Sequence, residues 1–285
     1  MKYAAVTFYF PTIENVENIN KISKQVDYVL IMDNSPFDNK NLLLSIENVK
    51  YYCVKENLGI SKAFNYLLKN ESILFNDEDY IIFFDQDSTI EENHIDNLIN
   101  DYNELIKNNY KVACLGPIYY ERNSNKVKIQ KLKKELLPSI YSVKSIITSS
   151  MLCRYKELKE INFWNEDVFL DMSDWDLCWR FIEKGYLCCV TSNVILTHTL
   201  GENSKNVGAI KLKVGKEIRD YYQVRESLYL FDKTYTPLKF KLRFILMLVV
   251  RNPLRLIFLD NRKERLHYMV KGIKDHKNKK YGCVE

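Results

Sequence analysis

Two carboxylates stand two residues apart directly after an apolar run. Asp85 and Asp87 follow Ile81–Phe84, and Gln86 lies between them. Carboxylates at this spacing can hold one hard divalent cation, directly or through water. Such a cation would neutralise a diphosphate and stabilise it as a leaving group. Many loops contain this triplet by chance, but its place after an apolar strand favours a site for Mg²⁺ or Mn²⁺.

A second acidic cluster lies between Leu170 and Arg180, where the chain carries Asp171, Asp174 and Asp176. One of these carboxylates can act as a general base that takes a proton from an acceptor hydroxyl. Arg180 would then orient the helix or the carboxylate. The structural alternative is that acids near a helix start favour the helix dipole, with Asp176 and Arg180 forming an i, i+4 ion pair.

Single residues at other predicted strand ends complete the set of candidates. His198 follows an apolar strand and can bind the metal or a phosphate, although a lone histidine is more often structural. Asp33 can accept the N3 hydrogen that uracil and thymine both present. Thr7, Phe8 and Tyr9 can hold the base and ribose. The alternative for Asp33, Thr7, Phe8 and Tyr9 is that they only make the contacts usual at strand ends and turns.

Alternating strands and helices predict the scaffold that positions these residues. β-branched and aromatic runs predict strands, and apolar spacing of three and four residues predicts helices. The strands are expected at 4–10, 28–32, 49–54, 80–84, 146–153 and 187–196, and the helices at 14–25, from residue 60 and at 169–183. This order predicts an α/β fold with a mostly parallel sheet flanked by helices. Residues 121–145 are expected to form a loop.

The carboxyl ends of parallel strands are where α/β sheets bind ligands. The polar clusters at 33–35, 57–59 and 85–88 all fall at such ends, which predicts that they form one site.

Composition is that of a soluble globular protein, with 285 residues, 46% hydrophobic and 28% charged. The seven cysteines include no CxxC pair. Together with the lack of a signal peptide, this predicts reduced thiols and a cytoplasmic protein.

The C-terminal part of the chain is basic, with 14 Lys/Arg against 4 Asp/Glu from Lys233 onward, a net charge of +10. Its stretch from Phe240 to Leu259 is apolar but is interrupted by Pro253 and four cations, so we expect no membrane-spanning helix. A basic helical pair lying on an anionic membrane face fits this pattern. The alternative is a helical subdomain docked on the sheet. We place the domain boundary after residue 205, which gives a catalytic domain at 1–205 and this helical region at 206–285.

In this order, the motifs resemble the family 2 inverting glycosyltransferases with the GT-A fold, especially their bacterial rhamnosyltransferase branch. The resemblance covers nearly the whole chain, and no single motif decides it. The matching stretches are 6–11, 33–35, 57–65, 84–88, 169–180, 198–201, 221–225 and 271–273.

The resemblance implies roles for individual residues. Asp87 becomes the principal metal ligand, Asp85 a ribose or metal contact, and Asp174 the base. Ser173 stands where the family has the first acid of a pair, so Asp171 is the alternative base. The implied donor-binding residues, beyond those already named, are Pro11, Asn34, Asn57, Gly59, Ile60, Asn65 and Gln86.

The resemblance also implies a reaction and its partners. The donor is a nucleotide sugar, dTDP-rhamnose or alternatively a UDP-hexose, and the acceptor is a saccharide or a lipid-linked saccharide for bacterial surface polysaccharide. The enzyme would act at the inner face of the plasma membrane. An oligomer is compatible with the sequence, and no nucleic-acid reader motif is present.

Three other classes share part of this pattern. A haloacid-dehalogenase-like phosphatase would use Asp85 as nucleophile and Asp87 as acid/base, but that family places the motif on its first strand. A nucleotidyltransferase needs a glycine-rich phosphate loop, and the chain has only 8 glycines. A catalytically silent scaffold would share the whole pattern, and donor turnover would separate it from the enzyme.

Overall fold

The computed structural model describes residues 1–121, 126–128, 134–198, 203–207 and 210–284. The chain divides into two compact units. The first comprises Met1–Glu166 and Ser173–Leu200, and the second comprises Asp167–Met172 and Gly201–Glu285. The short segment Asp167–Met172 therefore belongs to the second unit, although the first unit flanks it in sequence.

Ten described strands form the sheet of the first unit. Their bounds are β1 Lys2–Phe8, β2 Tyr28–Asp33, β3 Val49–Cys53, β4 Tyr80–Asp85, β5 Val112–Glu121, β6 Lys126–Lys128, β7 Lys134–Leu137, β8 Ile140–Val143, β9 Met151–Arg154 and β10 Leu187–His198. The order is β3-β2-β1-β4-β9-β5-β10-β8-β7, with β6 paired to β5. β1 runs parallel to both β2 and β4, so the carboxyl ends of these three strands meet. β9 is antiparallel to β4 and β5, which makes the sheet mixed.

Helices cover both faces of this sheet. They are α1 Ile13–Ser23, α2 Gly59–Asn70, α3 His94–Lys107, α4 Tyr155–Glu160 and α5 Ser173–Glu183, with 3₁₀ turns at Lys40–Leu43 and Ser72–Leu74. Alternate residues of a strand point to opposite faces. In β1, Tyr3 and Ala5 pack in the core that contains Phe64 of α2, whereas Ala4 and Val6 pack in the core that contains residues of α1 and α3. This three-layer arrangement confirms the predicted α/β class.

The second unit is mainly helical. Its elements are the hairpin β11 Asn203–Val207 and β12 Ile210–Val214, α6 Ile218–Phe231, α7 Leu238–Leu246, a π-helical segment Met247–Arg251, α8 Asn252–Phe258 and α9 Arg262–Lys277. α9 lies close to α6 because Gly272 has no side chain: a Cβ there would stand 2.7 Å from the carbonyl oxygen of Tyr221. No helix in the described part of the chain is long and apolar enough to cross a bilayer.

Two predictions about the N-terminal half were wrong in detail. β1 ends at Phe8 because Phe10 has a left-handed backbone (φ 48°) and the backbone of Tyr9 bonds a side chain instead of a strand. Within the predicted loop at 121–145, β7 and β8 form a hairpin, and β8 pairs with β10. Ser139, with φ 66°, makes the turn of that hairpin.

Two further elements begin later than expected. The strand predicted at 146–153 starts at Met151, because Ser150 takes a left-handed conformation (φ 66°). The helix predicted at 169–183 starts at Ser173, directly after Met172, which is also left-handed (φ 68°). Asp171 therefore lies ahead of the helix and Asp174 in its first turn.

Candidate functional site

The predicted donor- and metal-binding residues of β1, β2 and β4 meet at the carboxyl ends of these strands. Thr7 is level with Asp85 on β4, and Phe8 is level with Asp33 on β2. Asn34 donates its backbone N–H to the carbonyl oxygen of Phe8 at 2.8 Å. The side chain of Phe8 is fully buried in the core, so only its backbone reaches this edge. Sheet topology thus brings together three stretches that are far apart in sequence.

The acidic triplet forms a tight turn tied to the end of β1. Ser88 donates its N–H to the carbonyl oxygen of Asp85 at 3.1 Å. The side-chain amide of Gln86 accepts the N–H of Tyr9 at 2.8 Å and donates to its carbonyl oxygen at 3.2 Å. Asn15 of α1 adds a 3.2 Å bond to the carbonyl oxygen of Gln86. Gln86 therefore positions the two aspartates on either side of it.

The two aspartates of the triplet are held differently. Asp87 is exposed and makes no hydrogen bond or ion pair with any residue that the structure describes. Asp85 is half-buried, and one of its carboxylate oxygens accepts the hydroxyl of Ser149. One fixed and one solvent-facing carboxylate fit Mg²⁺ or Mn²⁺, since Mg²⁺ in particular keeps several waters and takes the rest of its ligands from phosphate.

The sequence also predicted His198 as a metal ligand. His198 ends β10, but its side chain lies outside the described residues. Among described residues, three or more candidate ligand atoms cluster only at the thiols of Cys114, Cys178 and Cys188, which are buried in the core. All seven cysteines are free thiols.

Ser149 and its neighbours were not predicted from the sequence. Ser150 donates its N–H to the carbonyl oxygen of Phe83 at 2.7 Å, which places Ser149 beside Asp85. The Ser150 hydroxyl lies 2.6 Å from Nε2 of His94, the first residue of α3. Burial lowers the pKa of His94 to about 4, so this imidazole is neutral at physiological pH. The Ser149-Ser150 pair before β9 was the signal available in the sequence.

Asp33 is fully buried, and its carboxylate already holds donors of the chain. One oxygen accepts the backbone N–H of Ser35 at 2.8 Å. The other accepts the Asn39 amide and the Tyr51 hydroxyl, each at 2.7 Å. Burial, followed by this hydrogen bond to Asp33, raises the pKa of Tyr51. Asp33 therefore organises the turn after β2 in addition to any contact with a ligand.

Three aromatic rings are exposed beside this turn: Tyr9, Phe10 and Phe37. Phe10 meets the other two edge-on, with centroids 4.6 Å from Tyr9 and 5.4 Å from Phe37. Its backbone N–H donates to the Ser35 hydroxyl at 2.8 Å, which fixes the rings next to Asp33. Of the three, only Tyr9 was predicted. Phe10 lies within the strand predicted at 4–10, which ends at Phe8.

The stretch 57–59 shapes the start of α2. Asn34 accepts the N–H of Leu58 at 3.2 Å and donates to the carbonyl oxygen of Gly59 at 3.0 Å. The side-chain oxygen of Asn57 accepts the N–H of Gly59 at 2.9 Å, and Gly59 has φ 73°, which its missing side chain permits. Half-buried Ile60 packs against the core. These residues join the turn after β2 to the start of α2.

Two other predicted donor-binding residues, Asn65 and Pro11, lie in and before helices of the first unit. Asn65, in α2, is almost fully buried and exchanges two hydrogen bonds with the backbone of Trp164, at 2.9 and 3.0 Å. Pro11 is half-buried in the turn that leads into α1. Asn65 thus holds the segment that follows α4, and Pro11 lies two residues before α1.

Arg180 links α5 to the segment that follows α4. Its Nε bonds buried Asp176 at 2.7 Å, and its two terminal nitrogens bond the carbonyl oxygens of Ile161 and Phe163, also at 2.7 Å. The i, i+4 ion pair expected on the structural interpretation is therefore present. Asp174 lies in the first turn of α5 and is half-buried.

Asp171, in the second unit, is engaged by an arginine. The guanidinium of Arg219 reaches its two oxygens at 2.8, 3.2 and 3.3 Å. Glu226 holds the segment before it by accepting the N–H groups of Phe169 and Leu170 at 2.9 and 3.1 Å. Burial, reinforced by the charge of Asp171, raises the pKa of Glu226 to about 8. The two candidate bases therefore belong to different units.

Known proteins resemble this chain over most of its length. The sequence model of glycosyl transferase family 2 matches residues 11–172. The chain is 30% identical over 283 residues, 95% of its length and 92% of the relative, to dTDP-rhamnosyl transferase RfbF of Shigella flexneri. The chain belongs to glycosyl transferase family 2. This confirms the predicted family and enzyme class.

Solved glycosyltransferase structures share the fold of this family 2 enzyme. TarS of S. aureus (residues 1–349) has a TM-score of 0.56 and 12% identity, over 99% of this chain and 83% of that one. GalNAc-T7, solved with UDP, GalNAc and Mn²⁺, has a TM-score of 0.53 and 10% identity, over 90% of this chain and 57% of that one. The first of these supports the predicted GT-A fold.

Proposed function

We propose that this glycosyltransferase moves rhamnose from dTDP-rhamnose onto a glycan or lipid-linked saccharide in bacterial surface polysaccharide synthesis, with inversion at the anomeric carbon. The observation that carries the metal-dependent part is the exposed carboxylate of Asp87 beside the fixed carboxylate of Asp85, where three parallel strands end. The choice of sugar rests on the relative from Shigella flexneri.

The acidic triplet is the proposed diphosphate site. Asp87 and Asp85 would hold Mg²⁺ or Mn²⁺, which when bound neutralises the charge that develops on the leaving diphosphate. Ser149 fixes the orientation of Asp85, and Gln86 fixes the turn against β1. Because these contacts exist before the donor arrives, little reorganisation is needed when the donor binds.

The nucleoside end of the donor fits the edge formed by β1 and β2. The exposed rings of Phe10 and Phe37 offer faces for stacking a pyrimidine. Asp33 lies behind them, with its carboxylate oriented by Ser35, Asn39 and Tyr51. Thymine and uracil present the same imide N–H, so this edge accepts dTDP-sugars and UDP-sugars alike. It contacts the base and therefore does not select the sugar that is transferred.

We assign the base to Asp174. The resemblance places Asp174 in the position of the base, whereas both carboxylate oxygens of Asp171 accept hydrogen bonds from Arg219. Asp174 takes the proton of the acceptor hydroxyl, and the acceptor oxygen forms a bond to the anomeric carbon from the face opposite the diphosphate. The bond between that carbon and the diphosphate oxygen breaks, and the nucleoside diphosphate leaves with the electron pair.

We further propose a division of labour along the chain. Residues 1–205 bind the donor and carry the base, and residues 206–285 bring the enzyme to its acceptor at the inner face of the plasma membrane. The net charge of +10 from Lys233 onward supports an anionic partner for the second part.

Donor turnover tests this proposal. The full chain is incubated with dTDP-rhamnose, UDP-glucose or UDP-galactose, with Mg²⁺ or Mn²⁺ or with a chelator, and released nucleoside diphosphate is measured. We expect release of dTDP from dTDP-rhamnose only with metal, and a product whose anomeric configuration is inverted by NMR. Release of UDP alone would replace the proposed sugar, and equal rates with chelator would overturn the metal-dependent reaction.

A further inference from the structure

The helical run from α7 through α8 turns an apolar face outward. Side chains spaced four, eight and eleven residues apart share one side of a helix. On that side stand Leu238, Leu242, Leu246 and Val249, whose exposed fractions are 76%, 59%, 62% and 68%. Exposed apolar side chains at neighbouring positions widen this stripe: Ile245, Val250 and Ile257. A surface helix of a protein that meets only water has polar side chains here.

The opposite face of the same run is anchored by charged groups. Arg255 is paired with the buried Asp220 of α6 at 2.6 Å, and Arg265 of α9 pairs with the same carboxylate at 2.8 Å. Arg251 bonds the side-chain oxygen of Gln223 at 2.8 Å. Leaving one of these charges buried and unpaired would be costly, so the pairs fix the rotation of the helix. The apolar stripe is therefore held on the outside.

Cations flank the stripe. Lys239 and Arg243 are exposed on one side of it, and Lys241, on the other side, lies over the ring of Phe231 at 5.5 Å. Apolar side chains bordered by lysine and arginine are the pattern of helices that lie in the interface of anionic membranes.

An apolar groove adjoins the stripe between α8 and α9. It encloses about 290 Å³ and includes Pro253, Leu256, Leu266 and Val270 in its lining. Leu266, Val270 and Ile273 of α9 are themselves 40–54% exposed at helical spacing, so the apolar surface continues across the groove. A groove of this composition suits a hydrocarbon chain.

We propose that this surface, formed by the outer face of 238–257 and the exposed row of α9, binds an anionic phospholipid bilayer. The leucines and valines enter the acyl region, the groove takes a hydrocarbon chain, and the flanking cations meet phosphate headgroups. A second copy of the chain is the less favourable partner, because apposed stripes would bring like cations together. The inference rests on the proposed membrane role of residues 206–285, to which it assigns a surface, and it does not depend on the choice of donor.

Liposome co-sedimentation of the full chain tests the proposal. Vesicles contain phosphatidylcholine alone or phosphatidylcholine with phosphatidylglycerol. We expect wild type to bind the anionic vesicles and to release them at high salt. The double variant Leu242→Gln/Leu246→Gln should bind at least about tenfold more weakly. The matched control is Leu44→Gln/Ile73→Gln, at two exposed apolar positions of the first unit, and should bind like wild type.

Two further measurements keep the outcome decisive. Lys239→Gln/Arg243→Gln should weaken binding to anionic vesicles and reduce its salt dependence. Thermal unfolding shows whether each variant is folded. Equal binding of wild type and Leu242→Gln/Leu246→Gln would overturn the proposal, and so would no binding of wild type. Light scattering that shows a wild-type dimer, dissociated by the leucine variant, would assign the surface to a second copy. None of these readouts uses sugar transfer, so failure here would remove the proposed membrane role of residues 206–285 but would leave the proposed sugar transfer intact.

Discussion

Asp85 and Asp87 share a motif but differ in how the chain holds them. Asp85 is fixed by the hydroxyl of Ser149, whereas Asp87 faces solvent. The spacing of the two carboxylates was enough to predict a metal site. It could not predict Ser149, because that contact depends on the left-handed turn at Ser150 and on the pairing of β9 with β4.

Ser149→Ala tests this contact. Residues that orient a metal ligand typically contribute 10–100-fold to metal affinity, so we expect the Kd for Mn²⁺, measured by titration in the presence of dTDP, to rise by about tenfold. The control is Ser192→Ala, which removes another hydroxyl of the same sheet, bonded to Ser139. Equal affinity in both variants would show that Ser149 does not position Asp85.

The choice between Asp174 and Asp171 is also made by individual contacts. We expect Asp174→Asn to lower kcat by about 10²–10⁴-fold with unchanged affinity for dTDP, as loss of a general base does. Asp171→Asn breaks the pair with Arg219 and should lower Tm, with a smaller loss of kcat. The assignment fails if Asp171→Asn loses as much kcat as Asp174→Asn at wild-type Tm.

At the scale of elements, polar side chains that were predicted to bind the donor join one element to the next. Asn34 links β2 to α2, and Gln86 links the turn after β4 to β1. The sequence correctly placed them at strand ends. It could not show how their hydrogen bonds are used, because those partners are brought in by the parallel pairing of β1 with β2 and β4. The same limit explains why Phe10 was predicted to continue the first strand.

Glu226 of α6 makes the stability of the second unit depend on pH. Burial raises its pKa from 4.5 to about 8, so the folded protein binds a proton that the unfolded chain loses. This stability is fully present below pH 4.5 and is lost as pH rises through 8. In Glu226→Gln, whose amide oxygen can still accept the N–H groups of Phe169 and Leu170, we expect the unfolding free energy to fall less between pH 5 and 8. Parallel pH curves in urea titrations would contradict this.

Gly272 tests the contact between α9 and α6. Alanine usually favours a helix over glycine by about 1 kcal/mol. Here the new Cβ would lie 2.7 Å from a backbone carbonyl oxygen, which cannot move without shifting α6. We therefore expect Gly272→Ala to destabilise the protein by about 1–3 kcal/mol in urea unfolding. Lys274→Ala, at an exposed position of the same helix, is the control. A stabilised Gly272→Ala would refute the close approach.

At the scale of the whole molecule, strand and helix alternation predicted the α/β class, and ordered motifs predicted the family. The division into units was less accessible, because Asp167–Met172 belongs to the helical unit through contacts with Arg219 and Glu226 that are distant in sequence. The outward apolar stripe was visible as an apolar and basic stretch. The ion pair of Arg255 with Asp220 determines which side of the helix this stripe occupies. That pair could not be predicted from the sequence.

Calorimetric titration with dTDP, UDP and GDP, each with and without Mn²⁺, tests the central claim most directly. The proteins are wild type, Asp87→Asn and, as an exposed carboxylate control, Glu92→Gln. We predict that dTDP binds wild type and Glu92→Gln only with metal, and that Asp87→Asn loses this binding. Metal-dependent binding of dTDP to Asp87→Asn with wild-type affinity, or no nucleotide binding to wild type under any condition, would contradict the account.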